Sequence, residues 1–231
     1  MIDDRVAVDA GSLAMAASDL QREQIRDVVL THAHLDHIAG LPMYIDDLFA
    51  TTTEPVRIFA TREVVEVLER DIFNWSVYPR FRELTNDYGP VMEYREFKPG
   101  CVFQAGHLRF RAVGVNHKVP SFGFIISDGS RSIALTGDTA ETKEFWEAAN
   151  TTPDLAALLV ECAFPDELEE LAMSSHHFTP RRLAAELKKC DAEVPVYVVN
   201  MKPMYRDRIV EQLGKTASRV QVIEPGRVYE W

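Results

Sequence analysis

Short apolar runs alternate along this chain with stretches whose apolar residues recur at helical spacing, a rhythm that predicts layered α/β or α+β structure. Strands are expected at 5–9, where the run ends in Asp9-Ala10-Gly11, and at 27–31, 56–60, 155–160 and 194–199. Leu108, Phe110 and Ala112 alternate with Arg109, Arg111 and Val113, as in a half-buried strand with a solvated arginine face; His107 reads as an ordinary strand residue beside them. The segments 122–127 and 131–136 form a hairpin across Asp128-Gly129-Ser130, and two short strands close the chain at 220–223 and 227–230. Helices are expected at 21–26, 38–49 and 141–149. Thr61 caps one carrying Val64, Val67 and Leu68 on a single face, Thr179-Pro180 opens one to about Cys190, and Pro203 opens one to about Leu213.

One stretch breaks the rhythm. Residues 72–97 are rich in aromatics (Phe73, Trp75, Tyr78, Phe81, Tyr88, Tyr94) and are interrupted by Pro79, Gly89 and Pro90, which predicts an irregular insertion on the surface or over a cleft. With no repeat or flexible linker, the 231 residues read as a single domain carrying that insertion.

Charge narrows the choice of partners. Twenty-five basic and 36 acidic residues leave a formal net charge of −11, which argues against a protein that grips long nucleic acid through its phosphates. A small anionic substrate is still compatible, because a bound metal supplies local positive charge. The three cysteines (Cys101, Cys162, Cys190) form no CxxC pair and no even framework, so a reducing cytoplasm is expected. No apolar run reaches the roughly 18–20 residues that cross a bilayer, and Met1-Ile2-Asp3-Asp4-Arg5 does not read as a signal peptide.

The densest chemistry lies in Thr31-His32-Ala33-His34-Leu35-Asp36-His37-Ile38-Ala39-Gly40, at a strand end and a helix start. Divalent metals bind imidazole nitrogens and carboxylate oxygens converging from a rigid support, and a strand-to-helix turn provides one. His32 and His34 can turn toward one metal while Asp36 and His37 face a second; a polar loop with incidental histidines is the competing reading. His117 and Asp138 each follow an apolar strand, where α/β sheets gather ligands, and a carboxylate such as Asp138 can bridge two metals. A solvated loop histidine and a turn-forming aspartate are the alternatives there. Asp9 before Gly11 reads as support for a metal histidine or as a simple turn residue.

The His32-x-His34-x-Asp36-His37 motif resembles that of the metallo-β-lactamase superfamily, and the resemblance extends over almost the whole chain. Within it, the chain looks most like class II cyclic-nucleotide phosphodiesterases and the RNase Z-like tRNA-processing hydrolases. The phosphodiesterase side is favoured by Ile38-Ala39-Gly40-Leu41-Pro42, by the aromatic insertion with Phe73, Trp75, Pro79 and Phe81, by Glu161 after a strand, and by His177 in Ser175-His176-His177-Phe178-Thr179-Pro180. The resemblance implies an αββα sandwich of two β-sheets flanked by helices. It implies His32, His34 and His117 on one metal, Asp36 and His37 on another, and Asp138 bridging. It implies zinc at one or two sites, with manganese or iron as alternatives, a small nucleotide substrate, and a homodimer. Activated water would attack phosphorus, and His177, oriented by Glu161, would protonate the leaving oxygen. Of the adjacent pair, His176 reads as the lesser residue, because only one neighbour can point into a site. Phe73 and Trp75, with Phe81, could stack on a base; local packing of the insertion is the competing reading.

Two features depart from the family pattern. Val199-Asn200-Met201-Lys202-Pro203 stands where the family carries a Thr-His-Leu-Lys-Pro segment, so Asn200 occupies a ligand position that usually belongs to histidine. The chain also begins inside what resembles the family's first β-hairpin. The competing functions are therefore an RNase Z-like endonuclease, a degenerate metal- or nucleotide-binding protein without activity, and a thioesterase or lactonase on the same fold.

Overall fold

The run before Asp9 forms β1 (Val6–Val8), and the turn after it leads through α1 (Leu13–Ala16) to α2 (Asp19–Gln24). Ser18 and Gln21 close a reciprocal capping box at the start of α2, each side chain meeting the other's backbone N–H. Then come β2 (Asp27–Val29), α3 (Leu35–Ile38), α4 (Leu41–Leu48), β3 (Val56–Ala60) and α5 (Arg62–Val67). The computed structural model describes residues 1–217 and 219–231 and divides into two compact units, Met1–His107 and Leu108–Trp231.

In the first unit a π-helical turn (Leu68–Ile72) follows α5, and a small hairpin of β4 (Thr85–Asn86) and β5 (Gly89–Pro90) precedes β6 (Met92–Glu96) and β7 (Val102–Ala105). Strands β1, β2, β3 and β6 lie side by side in that order, all parallel. The register pairs Val8 with Val29 and Val29 with Phe59, so the residues that follow β1 and β2 emerge together at one sheet edge. Val28, Leu30, Ile58, Leu41, Tyr44 and Ile45 are buried in the core of this unit.

The segment 72–97 is more regular than its prolines and glycine suggest. β6 completes the sheet against β3, and Phe73 and Phe81 are buried in the core. Burying such rings contributes about 1.5–3 kcal/mol each, enough to anchor a stretch poor in regular hydrogen bonding. The helix expected at 38–49 is α4, with Gly40 at its start, and the shorter α3 precedes it and ends at Ile38.

The second unit begins with the antiparallel succession β8 (Leu108–Gly114), β9 (Phe122–Ser127) and β10 (Ser132–Leu135), the last two joined by the expected hairpin. After α6 (Glu144–Asn150), strand β11 (Leu155–Glu161) adds parallel to β10. Helices α7 (Glu169–Ser175) and α8 (Pro180–Glu186) precede β12 (Val196–Val199), and α9 (Arg206–Thr216) precedes β13 (Val220–Val222); β12 and β13 continue the parallel series. Because β9 opposes both neighbours, β8 runs in the same direction as β10, β11 and β12. The loops after these four strands therefore open at a common edge. The core packs Phe145, Trp146, Leu158, Val160, Phe178, Leu183 and Val198 together.

Two expectations fail. Residues 227–230 form no strand; Tyr229 instead meets Tyr197 edge-on, Trp231 meets it at a tilt, and the two stack on each other. His107 sits in the turn after β7, outside any strand, and meets the Asp3 carboxylate at 2.8 Å. Arg109 and Arg111 are exposed on β8 as the alternation predicts.

Candidate metal centre

In the first unit, parallel pairing decides the chemistry. Asp9, following β1, donates its backbone N–H to the Val29 carbonyl, which places its carboxylate beside the end of β2. That carboxylate accepts from the Thr31 backbone N–H at 2.8 Å and from the Thr31 hydroxyl at 2.9 Å. It also accepts from Nδ1 of His37 at 2.7 Å. The Thr31 hydroxyl has a single proton to give, and giving it to Asp9 leaves its oxygen to accept from His32 Nδ1 at 2.9 Å. Both imidazoles are thereby held with the proton on Nδ1 and the lone pair on Nε2, the form that binds a metal. Thr31 heads the motif, and nothing local in the sequence marks its hydroxyl for this role.

The three histidines are grouped: the His32 ring lies 4.6 Å from His34 and 4.1 Å from His37, centroid to centroid. His32 and His37 are buried, His34 is half-buried at the start of α3, and Asp36 is exposed in the first turn of that helix. The turn approaches α3 so closely that a Cβ on Gly11 would lie 1.7 Å from the Asp36 carbonyl oxygen. Ala10 N–H donates to the His37 carbonyl and Gly40 N–H to the Ala10 carbonyl, which locks the turn to the helix. Phe73 is fully buried in the core, with no face for a base to stack on, whereas Trp75 is 57% exposed.

In the second unit, His117, Asp138, Glu161 and Asn200 all follow or end strands at the common edge. Ligand atoms of His117, Asp138 and His177 come within 4.8 Å of one another, close enough for one cation. His117 directs Nδ1 at the His176 backbone carbonyl, 3.0 Å away; a carbonyl only accepts, so the lone pair again falls on Nε2. Within this unit, the His117 tautomer and the Asp138 carboxylate are donors suited to a divalent metal.

Glu161 is completely buried and heavily solvated by the protein. Its carboxylate accepts backbone N–H groups of Thr139 at 3.1 Å, Ala163 at 3.0 Å and Phe178 at 3.3 Å, and Nδ1 of His177 at 2.9 Å. Burial pushes Glu161 up to about 7 against the hydrogen bond from His177. Burial alone would lower His177, but the hydrogen bond and charge of Glu161, with the charge of Asp138, hold it above the ordinary imidazole value. The hydrogen bond to Glu161 engages His177 Nδ1, which leaves Nε2 for any further partner. The Asn200 side-chain amide donates to Asp138 Oδ1, so a neutral donor stands against the carboxylate expected to bridge.

The family described as "Beta-lactamase superfamily domain" matches residues 5–198. The "Probable 3',5'-cyclic-nucleotide phosphodiesterase" of Yersinia pestis is 27% identical over 213 residues, covering 80% of this chain and 59% of that protein. "tRNase Z TRZ2, chloroplastic" of Arabidopsis thaliana is 32% identical over 107 residues, covering 45% of this chain and 27% of that one. The chain therefore spans less than two thirds of the length of these relatives. Among solved structures, the metallo-β-lactamase fold protein YhfI from Bacillus subtilis superposes with a TM-score of 0.76 at 21% identity, covering 98% of this chain and 88% of that one. Because the family match runs through the histidine motif of the first unit and on through His117, Asp138, Glu161 and His177 of the second, the chain belongs to the β-lactamase superfamily and has the metallo-β-lactamase fold.

Proposed function

We propose that this chain is a phosphodiesterase whose substrate is a 3′,5′-cyclic nucleotide. The observation that carries the reading is the buried Glu161–His177 pair, held at 2.9 Å, with the His177 ring 5.0 Å from that of His117, centroid to centroid. Phosphodiester hydrolysis needs a proton at the leaving sugar oxygen, and an imidazole kept protonated by a buried carboxylate is suited to supply it. The similarity to the Yersinia pestis protein supports the choice of a cyclic nucleotide.

In this reading the candidate metal ligands are His32, His34, Asp36 and His37 and, taken separately, His117 and Asp138. A divalent metal, zinc first, would supply water activation and neutralise phosphate oxygens when bound. The chain's own groups do the rest. Asp9 and Thr31 hold His32 and His37 in the ligating tautomer, His176 does so for His117, and Glu161 orients His177 and keeps its proton available. Of Phe73, Trp75 and Phe81, Trp75 is the ring left exposed to meet a base. Cys101, Cys162 and Cys190 are free thiols, which supports a cytoplasmic protein, and among the described residues no helix is long and apolar enough to cross a membrane. The assembly that accompanies this reading is a homodimer.

Hydrolysis of 3′,5′-cyclic AMP by the purified chain with zinc or manganese, beside a His32→Ala control, tests the proposal. Turnover that vanishes in the control supports it. Cleavage of a tRNA precursor without turnover of the cyclic nucleotide would replace it with an RNase Z-like function, as the name of the Arabidopsis thaliana relative suggests and against which the net charge of −11 argues.

A further inference from the structure

His176 closes α7 in the left-handed conformation, at φ 58° and ψ 58°. That position in a helix cap ordinarily goes to glycine or asparagine, because a side chain there is sterically disfavoured. The cap is well formed: His177 N–H donates to the Ala172 carbonyl and His176 N–H to the Met173 carbonyl. It also turns the His176 carbonyl onto His117 Nδ1. Glycine could do all of this, so the imidazole needs its own explanation.

The ring provides one. His176 Nδ1 lies 2.9 Å from Oδ1 of Asn116, the residue immediately before His117. The orientation of Asn116 is settled by its other bond, since its Nδ2 donates to the Glu141 carbonyl at 3.0 Å and so turns Oδ1 to His176. The Asn116 backbone is held as well, its N–H by the Thr139 hydroxyl and its carbonyl by the Ala140 N–H. One residue therefore grips both members of the Asn116–His117 dipeptide, the first through its ring and the second through its carbonyl. The same residue precedes His177 in the chain, so one turn sets both histidines.

We propose that His176 is a positioning residue for the metal ligand His117, and that its imidazole, through Asn116, keeps His117 Nε2 aimed for ligation. The proposal rests on the metal reading given above but not on the identity of the substrate. The left-handed backbone is tolerated because the ring contact it makes possible orders the ligand loop.

Zinc affinity measured by chelator competition on the whole chain tests this, alongside the melting temperature of the metal-free protein. His176→Gly retains the carbonyl and suits the backbone, so its melting temperature should equal or exceed that of the unaltered chain. Its zinc affinity should nevertheless fall about tenfold, the lower end of what supporting hydrogen bonds to ligand histidines contribute. Asn116→Ala should show a similar loss, and the double variant should be no weaker than either single one, as expected of two residues acting through one contact. His176→Asn tolerates the backbone and places an amide N–H where imidazole Nδ1 stood, so it should recover most of the affinity. A His176→Gly variant within about twofold of the unaltered affinity, or losses that multiply in the double variant, would overturn the proposal. An unaltered chain that binds no zinc would overturn both this proposal and the metal reading. Failure on cyclic AMP with the affinity pattern intact would overturn the substrate alone.

Discussion

His37 donates its Nδ1 proton to Asp9 across 2.7 Å, joining the turn after β1 to the helix that carries the histidine motif. The same carboxylate reaches His32 through the Thr31 hydroxyl, so one acid sets two imidazoles. Asp9→Ala should therefore weaken zinc binding by about 10–100-fold. Asp9 sits at φ 58°, a backbone that asparagine also accepts, so Asp9→Asn isolates the loss of charge and should cost less. Chelator competition on both variants measures this; unchanged affinity in Asp9→Ala would remove the carboxylate from the metal site.

The Glu161–His177 pair separates proton donation from metal support. His177→Ala should lower kcat on a 3′,5′-cyclic nucleotide by about 10²–10⁴-fold. On a phosphodiester with a p-nitrophenolate leaving group, which departs without a proton, the loss should be much smaller. Equal losses on the two substrates would count against His177 as the acid. Glu161→Ala should add a stability defect, because it leaves the buried N–H groups of Thr139, Ala163 and Phe178 without their acceptor.

Gly11 has a steric role. A methyl group there meets the Asp36 carbonyl oxygen at 1.7 Å, a contact that only backbone movement can relieve. Gly11→Ala should destabilise the metal-free chain by about 1–3 kcal/mol or more, read from urea unfolding, and should also reduce zinc binding by displacing the motif. An unshifted unfolding midpoint would show that the turn can yield.

Asn200→His replaces an amide donor to Asp138 with an imidazole, at a backbone φ of 52° that histidine tolerates. More zinc bound per chain, measured by elemental analysis, is the expected result. Unchanged stoichiometry would mean that this position takes no part in ligation.

The hairpin turn after β9 predicts a dependence on pH. Backbone N–H groups of Arg131 and Ser130, with the Ser130 hydroxyl, hold Asp128 down to about 2. A carboxyl held below its unfolded value of about 3.9 stabilises the fold above that pH and stops doing so as pH falls through about 2. Asp128→Ala should therefore lower the unfolding midpoint at neutral pH, and the difference from the unaltered chain should narrow between about pH 4 and pH 2. A gap that stays constant across that range would assign the effect to turn geometry alone.

Much of this architecture is legible in local pattern. The alternation of Leu108, Phe110 and Ala112 with exposed arginines marks β8, and Asp128-Gly129-Ser130 marks its neighbouring hairpin, because both signals arise within a few residues. The 72–97 segment misleads for the same reason: its prolines describe the local chain, whereas β6 exists through its pairing with β3. The aromatics there carry no label for inside or outside, and packing alone buries Phe73 while leaving Trp75 exposed.

Residue chemistry by itself determined the candidate ligands. Three histidines and an aspartate in six residues at a strand-to-helix turn admit few other uses, and His117 and Asp138 are marked by the strands before them. The tertiary structure alone decided which groups serve those ligands. Asp9 reaches His37 across 28 positions because β1 and β2 are parallel and in register, and Glu161 reaches His177 across 16 because β11 delivers its last residue beneath the turn after α7. His176, the lesser of two adjacent histidines in one dimension, contacts Asn116 and His117 some 60 and 59 positions away. A hydrogen-bond partner is a property of which strands lie side by side and in what register, and long-range packing sets both.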